Sequence, residues 1–259
     1  MEQGGGRQLD VLKWLLVAGL FAIGVALLRL SRRERRDARL LDHPVPSPRD
    51  GQRIAVCGTI EPEGEPLTSP VRDKPAVLYH FSVYHLESRR DAGIADVVDF
   101  AGYGAMPFRV AGVAIASFPI LHDFDVKGID SDEVRSRMKD FIRFAPLEHK
   151  ERGKIEWLSV PEPGMWDGHS RVTRAFTRGE SRPVETWRFN ETVVSPDEKV
   201  CAIGVWSKSE NALTEPWLYR GTKETVRETL ATSVGCGRVV GVLLIAGAIA
   251  LAAYLVGLF

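Results

Sequence analysis

The chain has 259 residues, with 34 basic and 34 acidic side chains and a hydrophobic share of 44%. A formal charge of zero gives no bulk electrostatic reason to expect a nucleic-acid partner. Three cysteines, Cys57, Cys201 and Cys236, are few and odd in number, which matches a reducing cytosol and offers no disulfide framework.

Residues 1–10 form a short tail. Residues 11–30 (VLKWLLVAGLFAIGVALLRL) are apolar except near their ends, where Lys13 and Arg29 are placed to snorkel to headgroups. As a helix they span about 30 Å, enough to cross a bilayer core. Next come Arg32, Arg33, Arg35, Arg36 and Arg39 against only Glu34 and Asp37, whereas Arg7 before the span is offset by Glu2 and Asp10. Positive charge is held on the cytosolic side, so this order predicts Ser31 onward inside and Met1 outside. A cleaved signal peptide would carry its charge first and small residues at the cleavage site, the reverse of what is written here. The arginine run also attracts an anionic leaflet, at about 1 kcal/mol per basic residue near the surface.

Residues 31–50 read as a basic and then proline-rich linker, with Pro44, Pro46 and Pro48 favouring an extended tether. Residues 51–229 are long enough for one domain with its own core. Within them, 54–62 alternates as a strand, and 76–86 (AVLYHFSVYHL) is dense in β-branched and aromatic residues. A third β region covers 97–100 and 108–118, with Gly102, Gly104 and Pro107 expected to mark a turn between its parts. Asp130 or Ser131 is placed to cap a helix over 131–145, whose Val134, Met138, Phe141 and Ile142 share a face and which Pro146 stops. Residues 171–177 and 184–190 suggest a hairpin, 200–206 a buried strand, and 222–229 a helix.

Residues 230–238 are juxtamembrane, and 239–259 hold no charge over about 32 Å of helix. Lys223, Arg227 and Arg238 precede this second span, again placing its leading side in the cytosol. The expected topology is two spans, a cytosolic central domain, and both termini on the far side. Ala18, Ala22 and Ala26 in the first span, and Gly237 and Gly241 at the second, have the four-residue spacing that lets membrane helices pack closely; alanine and glycine are also simply common in such helices. The expected fold is mainly β with a few helices (α+β): a small OB-like β-barrel, or a sandwich, between two transmembrane α-helices.

Gly58–Pro70 (GTIEPEGEPLTSP) followed by the aromatic strand resembles the opening of the membrane-anchored domain of the GIDE family, named for a two-span mitochondrial E3 ubiquitin ligase. Pro66, Leu67, Ser69 and Pro70 match that family's Pro-Leu-x-Ser-Pro loop, and Phe108 begins a segment similar to its Pro-Phe block. The stretch from Glu191 to Gly204 resembles its closing block. Arg109–Gly112 (RVAG) departs from the family's Asp-x-Thr-Gly turn. A RING holds two zinc ions with about eight Cys and His ligands, which three scattered cysteines do not supply. The resemblance therefore implies the anchored domain and not the ligase chemistry, which would need a separate RING subunit.

Other chemistry is thin. His80 and His85 are five apart in a strand, so they face opposite ways and do not share a metal. Asp123, Asp125, Gly128 and Glu133 imitate a calcium loop, but Lys127 and Val134 occupy its fifth and twelfth positions. Asp167, His169 and Ser170 lack a nucleophile elbow and read as a loop. Cys57 and Cys201 read as small strand residues at or near the core. Cys236, two residues before Arg238, is a possible acylation site. No catalytic, metal or cofactor residue is assigned. The expected role is a membrane-held binding or scaffold module for an unknown protein partner; the alternatives are an enzyme, including a ligase relative, and a structural subunit of a membrane complex.

Overall fold

A computed structural model describes residues 4–89, 93–124, 127–129, 131–150, 155, 163–179 and 184–256. The described helices are α1 (Gly4–Asp42), α2 (Asp132–Phe144) and α3 (Lys223–Leu255). The chain divides into two units: α1 with α3, and residues 44–223.

In the first unit, both helices are long and apolar enough to cross a membrane, and only 6% and 11% of their apolar windows are buried. The core helix of a soluble protein would be mostly covered. Trp14, Leu15, Phe21, Val242 and Leu243 are instead exposed. The 39 residues of α1 make about 58 Å of helix, well over the length needed to cross a bilayer core. The linker expected from Ser31 is therefore helical to Asp42, and only the prolines after it end the helix. Arg32, Arg33, Arg35, Arg36 and Arg39 are exposed on it, while Ser31, Asp37 and Leu41 are buried. The juxtamembrane stretch 230–238 is likewise an unbroken part of α3.

The two helices pair antiparallel. Arg227 meets Asp42 at 3.4 Å and Ser233 Oγ donates to Glu34 at 2.9 Å. Further along, a side chain on Gly241 would come 3.0 Å from Gly24 O, and one on Gly24 2.9 Å from Gly241 O. The expected alanine face is only partly the one used. Ala18 lies with Ala248 and Ala252, whereas Ala22 and Ala26 line a separate furrow with Arg29 and Arg33. Gly24, absent from the expected motif, faces Gly241, while a side chain on Gly237 of that motif would meet Ser31 Oγ at 2.5 Å.

The second unit holds two larger sheets. β1 (Arg53–Pro62), β6 (Phe108–Val110), β7 (Val113–Ile115), β14 (Ala212–Arg220) and β13 (Lys199–Ser207) close into a five-stranded barrel, with β8 (Ile120–His122) added beside β14. β2 (Leu67–Thr68) and β3 (Pro75–Ala76) make a small ladder. The other large sheet runs β10 (Leu147–His149), β11 (Val172–Thr177), β5 (Gly93–Ala105), β4 (Leu78–Arg89), β12 (Arg188–Val194) and β9 (Lys127–Ile129). Mixed α/β structure with a closed barrel is thus present, joined by an open sheet that the sequence reading does not separate from it.

Several expectations are corrected. Gly102 and Gly104 do not mark a turn but lie inside β5, opposite Phe81 and Tyr79 of β4. Residues 171–177 and 184–190 do not form a hairpin: β11 pairs with β5 and β10, β12 pairs with β4 and β9, and Val184–Thr186 is a 3-10 turn. Cys57 and Cys201 lie in strands at or near the core, as expected, but they are not free thiols. They sit opposite one another in the β1–β13 ladder and form a disulfide. Their separation of 144 residues hid the pairing, which only the barrel closure creates.

Candidate functional site

The site begins with the two glycines of β5. A side chain at Gly102 would meet the Phe81 ring at 2.6 Å, and one at Gly104 the Tyr79 ring at 2.5 Å. Their absence lets both aromatic rings of β4 lie across β5 towards β11, where Ala175 and Thr173 are the register partners of Gly102 and Gly104. Tyr79 bonds to Thr173, and burial pushes its phenol above the usual value. The face is a flat apolar floor made of aromatic rings from one strand and small residues from two others.

Over this floor lies α2. Ser131 caps it, its hydroxyl accepting from Val134 N, and Asp132 and Glu133 occupy the first turn where the helix dipole favours acid. Val134 and Met138 are buried, and Phe141 packs edge-on against Phe81 at 5.6 Å between centroids. Ala145 then turns extended, and Pro146 follows it. Where α2 ends, an apolar groove of about 470 Å³ opens between Phe141, Phe144, Ala145 and Pro146 on one side and Thr173 and Ala175 on the other, with Arg137 and Asp140 at its rim. Phe144, on the groove's lining, is 77% exposed, with the Arg143 guanidinium 5.4 Å over its ring.

Next to α2, the resemblance residues come together. Glu191 on β12 is fully buried, and its carboxylate accepts from Val71 N and Arg72 N, both at 2.9 Å, and from Ser69 Oγ at 3.2 Å. Arg72 returns a bond to Glu191 O, and Arg137 Nη1 donates to Val71 O at 2.8 Å, tying this loop to α2. Desolvation raises the Glu191 carboxyl above its usual value, opposed by these donors. Leu67 and Pro70 are buried in the same loop, and Pro66 is half-buried at its start. Glu191 therefore acts as an internal anchor for residues 69–74.

The remaining resemblance residues are barrel fittings. A side chain at Gly58 would strike Ala111 Cβ at 2.8 Å, and one at Gly204 would meet Thr214 O at 2.9 Å, where the β13–β14 register shifts. Phe108 is buried and stacks on Trp166 with rings 3° from parallel. The departing RVAG segment still turns: Ala111 and Gly112, at φ 50° and 76°, link β6 to β7 as a two-residue hairpin loop.

The other candidates resolve into structural roles. Asp167 accepts from His169 N, Ser170 N and Ser170 Oγ, and the backbone donors hold its carboxyl below the usual range. This is a side-chain-capped turn. Trp166 Nε1 bonding to Ser170 O and Gly168 lying hard against Ala116 fix it in place. His80 is neutral, burial pushing its imidazole down to about 4. His85 Nδ1 lies 2.6 Å from Asp99 Oδ2, both buried, with the half-buried Arg178 placing Nη2 3.5 Å from Asp99 Oδ1. Asp99 is the extra residue of the β5 bulge between Val98 and Phe100, so only the register could reveal this partner. Asp125 of the acidic loop lies outside the described residues, and Cys236 is exposed on α3. Among the described residues no group of three or more metal-ligating side chains occurs.

The groove with Phe144 was beyond sequence reading, since Phe141 and Phe144 sit on one helix and Thr173 and Ala175 on a strand about 30 residues later. Compared with known proteins, the chain matches no family model, no curated protein and no solved structure.

Proposed function

We propose that this protein is a two-span membrane protein that presents a GIDE-like, OB-like barrel domain as a binding or scaffold module, without self-contained catalysis. The observation that carries the reading is the apolar groove at the end of α2, with Phe144 standing exposed at its mouth. A groove with a few polar groups at its rim takes apolar side chains of a protein partner, and an exposed aromatic residue is the usual anchor of such contacts. The family reading draws support from Ser69 and Glu191, which lie 122 residues apart and bond directly. The five-stranded closure supports an OB-like barrel. The exposed arginines of α1 support a cytosolic domain, with anionic lipids of that leaflet as a second partner.

Purification of the full chain from its own membranes in mild detergent tests this. The expected result is a protein retained in near-stoichiometric amount, and lost from Phe144→Ser while the thermal midpoint of the domain stays unchanged. Equal retention by Phe144→Ser, or no retained protein from either, contradicts the reading.

A further inference from the structure

Two of the three cysteines occupy directly opposed positions on β1 and β13, strands that meet only because the barrel closes. Their Cα atoms are 4.1 Å apart across the antiparallel ladder, and the sulfurs are bonded. The bond is redundant for strand pairing: seven consecutive register pairs, from Arg53–Val205 to Thr59–Lys199, already hold β1 to β13, and β13 is paired on its other side with β14. Opening the bond thus leaves the barrel ladder in place. Access is unequal, because Cys201 is fully buried while Cys57 keeps part of its surface.

A disulfide on the arginine-flanked side of a membrane is not ordinary, since cytosolic disulfides are mostly catalytic or redox-sensing. We propose that Cys57 and Cys201 form a reversible redox site, a bond between two barrel strands that the thiol–disulfide poise of the cytosol makes and breaks. The inference rests on the cytosolic placement proposed above. Its chemistry needs a dithiol reductant. One thiolate attacks Cys57 Sγ, the S–S bond breaks, and Cys201 leaves as a thiolate and takes a proton. The second thiol of the reductant then attacks its own sulfur in the mixed disulfide and frees Cys57 as a thiol. Two electrons and two protons pass to the protein and the reductant becomes a disulfide. Oxidation runs the same steps backwards with a disulfide oxidant.

The test follows the redox state of the full chain in intact cells, in a Cys236→Ser background so that only the pair reports. Acid quenching and alkylation with a mass-tagged maleimide count free thiols by gel shift. The expected result is that a membrane-permeant disulfide oxidant removes the tag and a permeant dithiol restores it, with a change of about tenfold or more in the tagged fraction each way. Cys57→Ser, which leaves Cys201 without a partner, should show one tag under both treatments after denaturation. A pair that stays oxidised through the dithiol treatment is a permanent structural bond and overturns the proposal. A pair that stays tagged through the oxidant overturns it as well. A membrane-impermeant reductant that opens the bond in intact cells overturns the placement and the redox proposal together; restoration only by the permeant dithiol supports both.

Discussion

The barrel and the six-stranded sheet are built from similar strands, yet they finish their hydrogen bonding and apolar faces in different ways. The barrel returns β13 onto β14 and has no free edge within its five-stranded ring; it is further joined by Cys57–Cys201. The sheet stays open and ends in β9 and β10, edge strands of three residues each. Among the described residues, α2 is the helix packed on this sheet. A helix is about 10 Å wide, while six strands at about 4.8 Å spacing extend some 24 Å, so α2 is too narrow for the sheet beneath it. It lies over Phe81, and the groove opens between its end and β11. The difference bears on the proposed binding role: the barrel is closed into a frame, and the groove lies on the open sheet.

Replacing Glu191 with alanine tests the sheet side most severely. Val71 N, Arg72 N and the Ser69 hydroxyl would lose their acceptor inside the protein, and a loss of about 3–5 kcal/mol in unfolding free energy is expected by denaturant titration. A loss below about 1 kcal/mol would mean the loop has another support. Gly102→Ala probes the floor. The added methyl meets both Phe81 and Arg174 O at 2.6 Å, so about 1–3 kcal/mol of destabilisation is expected. The same change at Gly64, whose φ of 119° opposes it but which has open space, separates crowding from backbone strain.

Acid should also weaken the sheet. His80 has a folded pKa near 4 against about 6.5 unfolded, so between those values the unfolded chain binds more protons. The contribution of neutral His80 is complete above pH 6.5 and falls away as the pH drops towards 4. Since His80 keeps some exposed surface, the full shift is discounted to about 1–3 kcal/mol. Thermal midpoints measured from pH 7 to 4.5 should show that part of the decline missing in His80→Gln. The smallest effect is expected at the proposed contact itself. Phe144→Ser removes an exposed ring and should change stability by less than about 0.5 kcal/mol, measured by the same titration.

Much of the frame was legible from residue order. The apolar runs around Trp14 and Val242 gave the two membrane-length helices; alternation gave β1, β-branched and aromatic density gave β4, and the apolar run 200–206 gave β13, each within a few residues. Ser131 with Val134, Met138 and Phe141 gave α2 almost to its ends. What escaped depended on contacts between distant residues. Gly102 and Gly104 read as turn formers because glycine usually punctuates; here the rings of Phe81 and Tyr79 need the space. β14 escaped because Glu210 and Asn211 form its turn and Pro216 interrupts it, while a register shift opposite Gly204 absorbs the irregularity. The arginine helix escaped because a charge run after a span resembles a linker until Glu34 and Asp42 find Ser233 and Arg227. Glu191 was marked by resemblance alone, and the loop it anchors supplies the physical reason for an acid there.

The proposed contact surface is the groove lined by Phe144, and photocrosslinking in intact membranes tests it most directly. A benzoylphenylalanine placed at position 144 is compared with one at Glu215, an exposed residue of the barrel. The account predicts a discrete crosslinked protein from position 144 and none from position 215. Equal crosslinking from both positions, or a discrete product only from the barrel, would contradict it.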